Sequence, residues 1–167
     1  MEHTVILLVE DNADEEALTR RALKTDHMKI ELVVAHDGVE ALDYLFAAGD
    51  HAGRDPSVMP RLVLLDLKLP KVTGLEVLER LRSDDRTKLL PVVILSLSHE
   101  AKDIIDGYTL GANSYIRKPV NFSQFHDAIR NVTDYWLRVN ERPPAHLLNF
   151  QPGGTSFNNG AAMNCSE

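Results

Sequence analysis

The stretch Leu62-Val-Leu-Leu-Asp66-Leu-Lys-Leu-Pro70 constrains this chain more than any other. Four consecutive apolar residues end on a carboxylate. The run is too short for a helix and does not alternate, so it reads as a strand buried on both faces. Such strands belong to parallel sheets, which bind ligands at the carboxyl ends of their strands. Two further runs end the same way: Val5-Ile-Leu-Leu-Val9 meets Glu10 and Asp11, and Val92-Val-Ile-Leu95 meets Ser96. Three apolar strands therefore deliver polar side chains to one sheet edge.

The rest of the chain supplies the intervening elements. Acids fill the turn after the first strand and open a helix carrying Ala17, Leu18, Ala22 and Leu23, which fades near Thr25. A second strand is expected over residues 30–35 and a second helix over 39–47. Residues 48–60 form a polar loop, longer than most such connections. A third helix runs from about Thr73 to Arg82, a fourth strand over 92–95, and a fourth helix over 100–110, ended by Gly111. A fifth strand at 114–116 leads to Lys118-Pro119 and a last, long helix from Asn121 to about Val139. Five β-α units in alternation predict an α/β fold, a doubly wound five-stranded parallel sheet with helices on both faces. One domain over residues 1–142 is expected, followed by a mostly disordered tail over 143–167, rich in turn-formers. Within it, Leu147, Leu148 and Phe150 read as a frayed remnant of the domain or a short docking segment.

Composition excludes several classes. A net charge of -7 leaves no basic stripe for nucleic acid. No apolar run reaches the length of a membrane span, and the start has neither a basic region nor the apolar length of a signal peptide. The single cysteine, Cys165, rules out an internal disulfide or a cysteine zinc cluster. A cytoplasmic protein is expected. Neither G-x-G-x-x-G nor G-x-x-x-x-G-K-[ST] occurs, which argues against a nucleotide-binding domain.

Taken together and in order, Val9-Glu-Asp-Asn12, Leu65-Asp-Leu-Lys-Leu-Pro70, Leu95-Ser96 and Tyr115-Ile-Arg-Lys-Pro119 resemble the receiver domain of bacterial two-component response regulators, over roughly residues 4–140. The Glu10-Asp11 pair, the extended loop before the third strand, and Tyr135-Trp136-Leu137 near the end of the last helix resemble single-domain regulators that partner bacterial phytochromes and related sensor kinases. The resemblance implies the flavodoxin-like receiver fold with an extended last helix. It also implies that Asp66 takes a phosphoryl group from a sensor histidine kinase as an acyl phosphate, with Mg²⁺ as cofactor. Any enzymatic activity of the chain itself would be limited to self-phosphorylation from a phosphodonor and slow self-dephosphorylation.

A hard divalent cation needs clustered oxygen ligands. Asp11 and Asp66 are candidate direct ligands and Glu10 an outer or water-mediated one; the resemblance adds the backbone carbonyl of Lys68. Lys118 would neutralise phosphoryl oxygens and Ser96 would donate a hydroxyl. The resemblance further implies a switch in which Ser96 moves toward the phosphoryl group and Tyr115 fills the space vacated. Tyr115 equally fits a static half-buried core position. Each residue alone has an ordinary reading: Glu10 and Asp11 as dipole compensation, Asp66 as a helix cap, Lys118 as a solvated lysine, Ser96 as a turn residue. Their joint occurrence at one edge favours the chemical reading.

On the last helix, Phe122, Phe125, Ile129, Val132, Trp136 and Val139 form a stripe whose far end, with Tyr135 and Leu137 off it, is expected to be exposed. Tyr135, Trp136, Leu137 and Val139 are the expected interface of a homodimer, and the output is an interaction surface for an unidentified downstream protein. Two alternatives compete: a receiver-like binding module indifferent to phosphate, and an aspartate-nucleophile phosphatase. Haloacid-dehalogenase-type phosphatases need a second Asp where this chain has Lys68, which counts against the latter.

Overall fold

The computed structural model describes residues 4–24 and 28–144. Apart from Pro143 and Pro144, the expected tail lies outside the described residues, as does Thr25. Five strands form one sheet: β1 (Thr4–Val9), β2 (Ile30–Ala35), β3 (Leu62–Leu65), β4 (Val92–Ser96) and β5 (Ser114–Arg117). Their order is β2-β1-β3-β4-β5, and every pairing is parallel. The helices are α1 (Ala13–Leu23), α2 (Gly38–Phe46), α3 (Gly74–Ser83), α4 (Ala101–Thr109) and α5 (Phe122–Asp134).

The unalternating apolar runs are explained by two cores, one on each side of the sheet. Ile6, Leu8, Leu64 and Val93 pack with Ala22 of α1 and Phe125 and Ile129 of α5. Leu7, Val9, Val63 and Leu65 face the other way, onto Ala41 and Leu45 of α2 and Val77, Leu78 and Leu81 of α3. Each such side chain contributes roughly 1.5–3 kcal/mol on burial, so the central strands lock the register. The chain leaves β1 toward β2 and returns past it to β3. The strand order therefore reverses beside β1, and the crevice outside the carboxyl ends of β1 and β3 is where this topology binds ligands. Asp66 N–H donates to the Val9 carbonyl at 3.1 Å, and Glu10 N–H to that of Ala35 at 3.0 Å. The two acids thus continue adjacent strands.

The long loop before β3 is held by Arg54. Its guanidinium lies 4.1 Å from the centre of the Tyr44 ring, donates to the Tyr44 carbonyl at 2.9 Å, and reaches the Val58 carbonyl.

The last helix corrects one sequence expectation. A regular α-helix was expected to run to Val139 with Leu137 outside its apolar stripe. Instead α5 ends at Asp134 and passes into a π-helical turn, Tyr135–Val139, closed by Asn140 N–H on the Tyr135 carbonyl at 2.7 Å. The wider turn rotates the register. Leu137 points inward and is 6% exposed in the core, while Val139 is 69% exposed. Arg61 donates to the Leu137 carbonyl at 3.3 Å, tying the turn to the start of β3. Leu137 therefore does not belong to an exposed patch. Trp136 is half-buried against the same core, with the Tyr135 ring edge-on to it at 5.2 Å. Phe122, at the other end of the stripe, is also partly open, under the Arg21 guanidinium.

Candidate functional site

At the carboxyl edge of the sheet, one ammonium group gathers three carboxylates. Lys118 Nζ donates to Glu10 Oε2 at 2.7 Å, to Asp66 Oδ2 at 3.1 Å, and to Glu15 Oε2. The Lys118 and Glu10 side chains are each 3% exposed, that of Asp66 11% and that of Glu15 22%. The fold places each of them. Asp66 and Glu10 follow β3 and β1. Lys118 follows β5, its own N–H bonded to the Ser96 carbonyl at 2.8 Å. Glu15 stands on the first turn of α1, which Asn12 caps: its Oδ1 accepts from Asp14 N–H at 2.9 Å and Glu15 N–H at 3.1 Å. Glu10 Oε1 in turn accepts from Asn12 N–H at 3.1 Å.

The charges are unbalanced. Burial pushes the Glu10 carboxyl up to about 8, more than the hydrogen bond and charge of Lys118 bring it down. Burial also works against a charged Lys118. Its hydrogen bonds to Glu10 and Glu15 and the charge of Asp66 outweigh that, and hold the ammonium above the usual lysine range. One ammonium facing three carboxyl groups leaves excess negative charge even with Glu10 protonated, and directs several oxygens at one point. Among the described residues, oxygens of Glu10, Glu15 and Asp66 lie within 4.8 Å of one another. Such an all-oxygen donor set fits a hard divalent cation.

The loop after Asp66 is closely fitted. Lys68 N–H donates to Asp66 Oδ1 at 3.3 Å. A Cβ on Gly74 would lie 2.1 Å from the Asp66 carbonyl oxygen, so α3 begins against the backbone of Asp66 and only glycine allows it. Thr73 caps α3 reciprocally with Glu76. Lys71 has a φ of 66° and its ammonium bonds Asp37 at 2.6 Å, joining this loop to the start of α2.

Ser96 is 1% exposed at the end of β4, and its Oγ accepts from Ser98 N–H at 3.1 Å. Tyr115 is half-buried on β5, with a long 3.5 Å contact from its hydroxyl to the Ser98 carbonyl. Its ring lies beside Gly107 of α4, where an added Cβ would come within 3.5 Å. One short segment therefore touches both residues of the expected switch.

Of the sequence-predicted site residues, Glu10, Asp66 and Lys118 meet directly. Ser96 joins them through the backbone of Lys118. Asp11 is exposed at the rim, outside the three-carboxylate group, and Lys68 contributes its amide to Asp66. Glu15 was missed. Its only signal was a position among the acids of a helix first turn, which are ordinarily read as compensating the dipole.

The family model described as "Response regulator receiver domain" matches residues 6–130. The chain is 36% identical to response regulator Rcp1 of Synechocystis over 84% of its own length and 94% of the relative's. Its fold superposes on the phosphorylated cyanobacterial phytochrome response regulator RcpA with a TM-score of 0.81 and 39% identity, covering 86% of this chain and 100% of the other. The Mn²⁺-bound form of Rcp1 gives a TM-score of 0.78 and 35% identity, covering 84% and 99%. A bacteriophytochrome response regulator, AtBRR, is 47% identical with a TM-score of 0.67, covering 84% and 100%. The chain belongs to the response regulator receiver domain family.

Proposed function

We propose that Asp66 is the phosphoacceptor of this receiver. Its Oδ attacks the phosphorus of a phosphohistidine on a sensor kinase. The P–N bond breaks, its electron pair returns to the imidazole, and a mixed carboxylic–phosphoric anhydride remains on Asp66. Support comes from the juxtaposition of Asp66, Glu10 and Lys118 in a nearly dry pocket. Lys118 neutralises the phosphoryl oxygens, and Ser96 donates its hydroxyl to them once it turns from Ser98 N–H. Asp11, Asp66 and the Lys68 carbonyl, with Glu10 through a water, would hold a Mg²⁺ ion, which would supply positive charge to offset the repulsion between the carboxylate and the phosphoanion. The phosphoryl group adds charge and strong acceptors at the sheet edge, and the shift of Ser96 is coupled to Tyr115 through the Ser98 segment.

The kinase partner is a bacteriophytochrome or related sensor, a reading supported by the likeness to RcpA, Rcp1 and AtBRR. The output is an interaction surface for a downstream protein or for a second copy of the chain. Exposed Tyr135 (48%) and Val139 (69%), beside half-buried Trp136, favour a two-fold dimer over the end of the last helix. The reaction takes place in the cytoplasm, and no described helix is long and apolar enough to cross a membrane. Phosphate transfer from autophosphorylated histidine kinases tests this reading: a bacteriophytochrome kinase should label the wild type rapidly and Asp66→Asn not at all. Equal labelling of both would sink it.

A further inference from the structure

Lys118 has three N–H donors, and all three are committed: to Glu10, to Asp66 and to Glu15. A phosphoryl oxygen arriving on Asp66 gains a direct bond from this ammonium only if one present partner lets go. The candidates differ. Asp66 carries the phosphoryl group and stays. Glu10 is closed to solvent, and its other oxygen holds Asn12 N–H, so release would strand a buried polar group without its partner. Glu15 is the most open of the three, on the exposed first turn of α1, and can rotate into water without cost to the α1 cap, which Asn12 supplies.

We infer that Glu15 is a latch on Lys118: it holds the ammonium in the unphosphorylated protein and is the partner displaced when a phosphoryl group forms on Asp66. This rests on the assignment of Asp66 as phosphoacceptor and adds a positioning residue that sets how readily the site charges. Glu15 does not touch the reacting atoms; it competes for the group that does. An ion pair of this exposure is worth up to about a factor of five in an equilibrium. Its negative charge also stands close enough to oppose the phosphoanion directly, so the two contributions must be separated.

The experiment is a titration of the Mg²⁺-saturated full chain with beryllofluoride, read by backbone amide shifts, together with the initial rate of labelling by a small phosphodonor. Glu15→Gln and Glu15→Ala should each tighten beryllofluoride and speed labelling by about fivefold. Mg²⁺ affinity measured without the phosphoryl analogue should change by less than about threefold, because Glu15, although its oxygen lies within 4.8 Å of those of Glu10 and Asp66, is paired with the ammonium. In a Lys118→Ala background the same Glu15 substitutions should speed the residual labelling by less than about twofold, the part due to direct charge repulsion. Unchanged beryllofluoride affinity in both Glu15 variants would overturn the latch. So would an equal gain in the Lys118→Ala background, which would mean that Glu15 acts by charge alone. A tenfold loss of Mg²⁺ affinity in Glu15→Gln would make it a metal ligand instead. A wild type that takes no phosphoryl group at Asp66 defeats the underlying assignment rather than the latch.

Discussion

Lys118 Nζ and Glu10 Oε2 are 2.7 Å apart with both side chains 3% exposed, although 108 residues separate them in sequence. A buried pair of this kind is weak evidence for stability, because desolvation offsets much of the attraction. Here a second and a third carboxylate share the same ammonium, so the site is kept at a cost in stability.

That cost sets a pH dependence. The Glu10 carboxyl titrates near 8 in the fold, against an ordinary value of 4.5. The folded state therefore binds the proton more tightly than the unfolded chain. Stability is fully present below the unfolded value and is lost as pH rises through the folded one. Without divalent cation, the unfolding free energy from denaturant titration should fall between pH 5 and 8.5 by on the order of 1 kcal/mol or more. Glu10→Gln should flatten the trend, and saturating Mg²⁺ should do so in the wild type. A wild type as stable at pH 8.5 as at pH 5 would contradict the burial of Glu10.

Gly74→Ala should destabilise the fold by about 2–3 kcal/mol, since the new methyl group meets backbone of Asp66 rather than a side chain that can move. Chemical denaturation checks the magnitude. Labelling of this variant should also slow, because the displaced backbone carries the acceptor. A neutral substitution would show that α3 does not begin where described.

The π-helical turn separates two neighbours in their effects. Leu137→Ala should cost about 2–4 kcal/mol as a core truncation, and Val139→Ala should stay within about 0.5 kcal/mol as a surface change. Reversed magnitudes would restore the regular α-helical register.

For assembly, Tyr135→Glu with Val139→Glu is the informative variant, because both side chains are open in the monomer. Light scattering should shift from dimer to monomer mass without loss of thermal stability. Trp136→Glu should also disrupt the dimer, but it disturbs the monomer core as well. A wild type that is monomeric at high micromolar concentration, with and without phosphodonor, would overturn the proposed dimer.

Much of this was legible in the residues. Val5 to Val9, Leu62 to Leu65 and Val92 to Leu95 lack alternation because both faces are buried, so a parallel sheet and its functional edge followed directly. Glu10 and Asp66 were marked by charge placed immediately after apolar runs, and Lys118, which follows Arg117, by the Lys-Pro pair of the family resemblance. Glu15 was not, because an acid in a helix first turn has a sufficient local explanation; only the fold shows an ammonium within its reach. Leu137 failed for another reason. Its side depends on one extra residue in a π turn, closed by Asn140 and supported by Arg61 just before β3, and helical periodicity carries no sign of it.

Everything proposed for this site turns on Asp66 as the phosphoacceptor of a cation-dependent receiver. Intact-mass spectrometry after incubation with Mg²⁺ and a small phosphodonor tests it most directly. One added phosphoryl group is expected, stable to acid and lost in base, absent when the metal is chelated, and absent in Asp66→Asn. An unmodified wild type, or an Asp66→Asn variant that gains the same mass, would contradict it.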